Sequence, residues 1–220
     1  MAHALPNTGT NASQAAIAVT PKGQATRALI LQTAAEVFAE RGYGDTTMAE
    51  LIGRSGMARG AFYFHFASKE ELALATFRAK QQQLIHRLVS EAGEQADAAA
   101  QLAAMLGARA RILDEDRSLR CVLTLGAELG GRAGPGSEYA AFQEMAIDLF
   151  EGLIRRGQGE GIFRPELDPR RSAETVFAAI IGSDLVSGLL AKGNDLVQRG
   201  EDLLQLLLGG LLVPPARANR

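Results

Sequence analysis

Apolar residues recur every three or four positions along most of this chain, and no segment alternates apolar with polar over the length of a strand. From Thr26 to Arg41, Ile30, Ala34, Val37 and Phe38 mark one face of a helix, and Gly42 follows as a left-handed cap. In DTTMAELIGRSG, Thr47 stands three residues before Glu50, the spacing of a capping box, which predicts a short helix from Thr47 to about Ser55. A turn at Ser55 and Gly56 separates it from a third short helix beginning near Ala58. Ser68 and Glu71 repeat the capping spacing and open a longer helix through Phe77 and Leu84 towards Val89. Two short helices joined by a tight glycine turn, with a helix on each side, make a helix-turn-helix.

Helical periodicity continues over 97–113, 118–129, 137–157, 169–191 and 196–212, with Asp168 and Pro169 forming an N-cap and first-turn pair for the 169 helix. Glycines 130, 131, 134 and 136 with Pro135 predict a loop inside this second part. The fold class expected is therefore all-α. The pattern divides the chain into a disordered arm over 1–21, a helix-turn-helix domain over 22–68, a helical domain over 69–213 and a flexible tail over 214–220.

Charge sharpens this division. The 220 residues are 47% hydrophobic with a net charge of −2, enough for one large domain or two small ones. Residues 22–80 hold eight Lys and Arg against six Asp and Glu, whereas 81–220 hold fifteen against nineteen, so a polyanion would meet the first part. Cys121 stands alone, which excludes an intramolecular disulfide and a cysteine-based zinc site and suggests a reducing compartment; its thiol is either buried and inert or reactive. The opening MAHALPNTGTNASQAAIAVTP lacks the basic region and apolar run of a signal peptide. The stretch from Leu203, LLQLLLGGLLVPP, is broken by Gln205, Gly209 and Gly210 and is shorter than the roughly 18 residues a membrane span needs. A cytoplasmic protein without a membrane partner is expected.

The stretch GMARGAFYFHFASKEEL, residues 56–72, concentrates chemistry in a chain that is only 5% aromatic. Phe62 and Phe66 share one helical face and read as core, while Arg59 and Tyr63 share another. Arg59 can donate bidentately to a guanine edge, Gly60 and Ala61 let the backbone approach a groove wall, and Tyr63, His65 and Lys69 offer donors to phosphate. The capped starts at Thr47 and Ser68 present backbone N–H groups to anions. These features suit a helix presented to the major groove of double-stranded DNA.

On these residues, AAEVFAERGYGDTTMAELIGRSGMARGAFYFHFASKEEL resembles the DNA-binding domain of TetR-type transcriptional repressors. FYFHFASKEEL resembles the γ-butyrolactone receptor subgroup more closely still, and DRSLRCVLTLGAELG and IIGSDLVSGLLAKGNDLVQRGEDLLQLLLGGL resemble segments of that subgroup. The resemblance implies that Thr47 touches phosphate, that Arg59, Gly60 and Ala61 face the groove, and that Tyr63, His65 and Lys69 hold the DNA backbone. It also implies a second part that binds a small effector and pairs two subunits. In two places the chain departs from the pattern. Ala58 stands where the family has a Ser or Thr cap, and the subgroup's tryptophan is missing from a chain with no Trp; counted from Pro135, Tyr139 takes its position.

The expected effector is a butyrolactone, butenolide or related furan, and the expected pocket residues are Gln81, Tyr139, Phe142, Gln143 and Ser183; no cofactor, metal ligand or catalytic residue is expected. Gln81, Gln82 and Gln83 also fit a solvated helix face, and Asp184 fits a dimer or a structural carboxylate. Val176, Phe177, Ile180, Ile181, Leu185, Leu189 and Leu190, with leucines 203, 204 and 206–208, offer more apolar surface than one core needs and predict a homodimer on a pseudo-palindromic operator. Secondary metabolism is the expected target, and effector binding is expected to shift the fourth helix and so the separation of the two heads. The alternatives are a TetR-like drug or metabolite sensor controlling an efflux pump or pathway, a purely architectural DNA binder, and an all-α enzyme. For the last, the chain offers only His3, His65, His86 and one Cys, without HExxH, GxSxG or P-loop patterns.

Overall fold

The computed structural model describes residues 20–133 and 137–214. Nine α-helices follow one another among them: α1 (Pro21–Arg41), α2 (Met48–Ser55), α3 (Arg59–His65), α4 (Lys69–Ala92), α5 (Ala98–Glu115), α6 (Cys121–Ala133), α7 (Glu138–Gly159), α8 (Pro169–Ala191) and α9 (Leu196–Leu211), with a 3₁₀ turn at Arg117–Arg120 before α6. Of the arm expected over 1–21, residues 1–19 lie outside the described residues, as do most of the tail and Gly134, Pro135 and Gly136, while Thr20 and Pro21 belong to the start of α1 instead of the arm.

Local chemistry sets most helix starts. Thr47 Oγ1 accepts from the N–H of Glu50 at 3.2 Å, Ser68 Oγ from Glu71 at 3.1 Å and Asp168 Oδ1 from Arg171 at 2.8 Å. Only the N-cap half of each expected capping box forms. Glu50 pairs with Arg41 at 3.0 Å, and Glu71 accepts from the N–H of Ala67 instead of that of its cap residue. Helix α1 begins at Pro21, earlier than the apolar spacing predicts, because Thr20 caps the N–H of Gly23 and Pro21 occupies the first turn. Gly42 does close α1, but with φ 76° and ψ 178°, a region that glycine alone visits readily, and not the left-handed helical region expected. Gly130 and Gly131, expected in a loop, lie in α6, which continues through both despite glycine's low helix propensity; a Cβ at Gly130 would make only an ordinary contact, 3.6 Å from Gln143 Nε2 of α7.

Two apolar cores result. The larger gathers Leu84, Leu102, Leu106, Ile112, Leu113, Phe150, Val176 and Ile180 from α4, α5, α7 and α8, with Phe163 from the connection between α7 and α8, and Leu211 closes it from α9. The other holds Ile30, Phe38, Leu51, Phe62, Phe66 and Leu72 of α1–α4. It does not stop at the boundary expected between residues 68 and 69: Phe77, Cys121, Leu125, Leu129 and Tyr139 complete it from α4, α6 and α7. Cys121 is buried, which pushes its thiol up to about 12, so the inert alternative holds.

Helix α8 divides its apolar residues. Val176 and Ile180 enter the core, whereas Leu185, Leu189 and Leu190 stand outward at 55%, 73% and 76% exposure. By length and composition α8 is the described helix apolar enough to cross a bilayer, a property its sequence pattern did not single out. Asp184 on the same helix is structural, forming a two-pronged pair with Arg109 of α5.

Candidate DNA-reading head and effector region

Helices α2 and α3 meet at Gly56, whose φ of 65° and ψ of 11° turn the chain in the left-handed region between them. Phe62 and Phe66 are each 1% exposed and anchor α3 in the core, as expected. That orientation turns Arg59, Gly60, Ala61 and Tyr63 outward, all exposed. The Arg59 guanidinium stacks on the Tyr63 ring at 5.5 Å, and among the described residues no carboxylate pairs with it. A Cβ at Gly60 would meet nothing within 4 Å, so the space beside this backbone is open. Ala58 offers no side-chain bond to the start of α3. Thr47 is exposed at the start of α2.

Three expected contacts look different in three dimensions. Lys69 Nζ donates to the carbonyls of Tyr43 and Thr46, each at 2.8 Å, and lies 4.1 Å from the Tyr43 ring centre, so two of its three donors fasten the α1–α2 turn. The start of α4 already carries Glu70 and Glu71, which oppose an anion at Ser68. His65 is half-buried against Phe64, and burial first, then the charge of Arg27, holds its imidazole below the usual 6.5.

The expected effector residues divide into separate groups. Tyr139 and Phe142 gather on Phe77 of α4, with ring centres at 4.6 and 5.7 Å. Tyr139 is 7% exposed; its hydroxyl has no hydrogen-bond partner among the described residues, and burial pushes its pKa to about 12, so it is a neutral donor. Pro135, from which its position is counted, lies outside the described residues. Gln81 lines a hollow of about 630 Å³ between α4 and α7, with Ile85, Val89 and Met145 among its walls. A second hollow of about 430 Å³ shares Val89 and runs between Leu88, Met105 and Leu153. Gln81 is thus a buried residue rather than part of a solvated face. Gln143 is exposed beside Gly130, and Ser183, half-buried on α8, lines neither hollow.

Sequence spacing missed three residues here. Leu72, Thr76, Lys80 and Leu84 recur at four-residue intervals on the inward face of α4, so the polar members are buried in line with the leucines. Thr76 Oγ1 is a second buried hydroxyl without a partner among the described residues. Lys80 Nζ donates to Gln32 Oε1 of α1, to Gln83 Oε1 at 3.2 Å and to Ser118 Oγ at 2.9 Å; Ser118 in turn donates to Asp116 at 2.7 Å, which relays the buried charge to a carboxylate. Polar residues on an otherwise apolar stripe were the available signal. The third is Glu128 of α6, described below.

The head matches the model of the tetR family of bacterial regulatory proteins over residues 30–76. Over nearly its whole length the chain is similar to the full-length native TylP structure, a TetR regulator from Streptomyces fradiae, at 32% identity and a TM-score of 0.69, covering 89% of this chain and 90% of that one. It is 30% identical to the A-factor receptor protein of Streptomyces griseus over 72% of this chain, which spans about half (53%) of that relative. The structure of SmeT, the repressor of the Stenotrophomonas maltophilia multidrug efflux pump SmeDEF, is similar at 28% identity and a TM-score of 0.68, covering 87% and 93% of the two chains. With the all-helical architecture, the outward Arg59 face and these matches together, the chain belongs to the TetR family of bacterial transcriptional repressors, non-enzymatic proteins that bind operator DNA as homodimers and respond to small molecules.

Proposed function

We propose that this repressor occupies a pseudo-palindromic operator and is released by a small neutral signalling molecule of the butyrolactone, butenolide or furan class, in the control of secondary metabolism. Residues 22–68 read the DNA and residues 69–213 bind the effector and pair two subunits in the cytoplasm, where the operator-bound form is nucleoid-associated. Thr47, Tyr63 and His65 contact phosphate, Arg59 reads a base edge beside Gly60 and Ala61, and Lys69 adds its remaining donor. The observation that carries the effector reading is the arrangement between α4 and α7. A hollow walled by Ile85, Val89 and Met145, with Arg78, Gln81, Gln82, His86 and Ser90 around them, lies on the helices that also carry, beyond its walls, the buried hydroxyls of Thr76 and Tyr139, which have no partner among the described residues. A neutral lactone brings carbonyl acceptors for such donors and an acyl tail for such walls, and a bound pose that reached both would relieve the cost of the desolvated hydroxyls. The likeness to the A-factor receptor supports the same class. Phe142 closes the aromatic group, while Gln143 and Ser183 act only after a rearrangement that brings them inward.

The likeness to SmeT favours one second reading, a drug or metabolite sensor controlling an efflux pump or pathway. Fluorescence anisotropy on duplex DNA from the gene's own upstream region, titrated with lactones, butenolides, furans and efflux-pump substrates, separates the two. Release by a lactone at low concentration supports the signalling reading. Release by the pump substrates alone replaces it with the second.

A further inference from the structure

The C-terminal helices grip the DNA head at a point that α4 does not supply. Glu128, half-buried on α6, accepts from the backbone N–H groups of Tyr43 at 2.9 Å and Gly44 at 2.8 Å, in the turn that joins α1 to α2. One carboxylate holding two adjacent amides makes a charge-assisted pair of bonds in a fixed geometry. The approach is close enough that a Cβ at Gly42 would fall 2.2 Å from Glu128 Oε1, so the glycine that ends α1 also admits this carboxylate. One turn earlier on α6, Thr124 Oγ1 donates to the carbonyl of Phe38 at 3.1 Å. The other flank of the same helix carries Gly126 and Gly130, where added Cβ atoms would meet Phe77 and Gln143, so α6 lies between the aromatic group and the head. The turn it holds runs directly into the Thr47 cap of α2.

We infer that Glu128 is a positioning residue, a carboxylate latch through which the effector region sets the orientation of the α1–α2 turn and therefore of the DNA-reading pair α2–α3. The inference rests on the reading as an effector-released DNA binder and gives it a second route of transmission beside α4. Because coupling between two sites is reciprocal in binding free energy, a latch that carries effector binding to the head is expected to carry DNA binding back to α6.

The test therefore needs no effector. The full-length chain first enriches a duplex from random sequence. Amide hydrogen exchange is then followed in peptides covering residues 42–48 and 121–130, with and without that duplex, in wild type, Glu128→Ala and Glu128→Gln. The expected results are slower α6 exchange in wild type on adding the duplex, exchange at Tyr43 and Gly44 about tenfold faster in free Glu128→Ala, and no α6 response in that variant when it is saturated with the duplex. Glu128→Gln keeps the volume and one acceptor oxygen, and is expected to fall between the two; it decides the matter if the alanine variant does not fold. A wild type that binds the duplex with no change in α6, or a folded variant that transmits as wild type does, overturns the latch while leaving the repressor reading in place. A wild type that enriches no duplex removes both.

Discussion

Arg59 faces solvent on α3 with its guanidinium stacked on Tyr63, a pre-oriented donor free of competing carboxylates among the described residues. Arg59→Ala is expected to weaken operator binding by about 1–3 kcal/mol and to relax base preference; equal loss on operator and random duplexes in anisotropy titrations would contradict base reading. Gly60 separates fold from function more sharply. Its open surroundings mean Gly60→Ala leaves the fold intact and raises the melting temperature slightly, by up to about 1 kcal/mol in stability, because alanine loses less backbone entropy. Operator affinity should nevertheless fall, since the added methyl stands where the groove wall approaches, and unchanged affinity would place this backbone away from DNA. His65 gives a pH dependence. Its folded pKa lies below 6.5, so its contribution to stability is present above that value and is lost as pH falls below it. A DNA phosphate acts in the opposite sense by favouring the imidazolium. Duplex affinity is therefore expected to rise between about pH 7.5 and 6, and to flatten in His65→Gln, as measured by anisotropy across that range.

Helix α4 belongs to both cores, and its inward stripe changes character along its length. Leu72 and Phe77 lie in the head core and Leu84 in the other, while Thr76, Lys80 and Gln81 between them are polar and buried. A buried polar band where two cores meet is a natural place for a ligand to act on both. Tyr139 tests this. Tyr139→Phe removes a desolvated hydroxyl that has no partner among the described residues, so the free protein should keep or gain about 1 kcal/mol of stability in denaturant titration. The same change should raise the effector concentration needed for DNA release about tenfold, the loss of one good hydrogen bond. A fall in stability with normal effector response would make the hydroxyl a structural partner instead.

For the molecule as a whole, the outward faces of α8 and α9 offer a surface for assembly. Leu185, Leu189, Leu190 and Leu206 are exposed on adjoining helices, a patch that a second copy can cover across a two-fold axis. Pairing places two recognition helices about one DNA turn, roughly 34 Å, or a multiple apart. Leu189→Arg combined with Leu206→Arg should give a folded monomer by light scattering and circular dichroism. Operator affinity should drop about 100-fold or more, because each head then binds alone without the effective concentration its twin supplies. A variant that stays dimeric would move the interface elsewhere.

Much of this was legible in the sequence because it is local. Helix starts follow from Thr47, Ser68 and Asp168 acting on amides three residues away, and the burial of Phe62 and Phe66 follows from their four-residue spacing. The Thr20–Pro21 start of α1 was equally local but lay beyond the apolar pattern, so periodicity passed over it. What periodicity cannot see is which distant group meets a polar side chain. Gln143 sits on the same helix as Tyr139 yet faces outward, and Lys69 reaches back to the turn after α1. Glu128 meets amides 84 and 85 residues earlier in the chain. The sequence by itself determined most of the helices, their N-caps and the residues that α3 turns outward, because these depend on spacing within a few residues. Only the tertiary structure decided how the head is held and where polar groups lie buried without partners, because those depend on helices that the chain brings together from far apart.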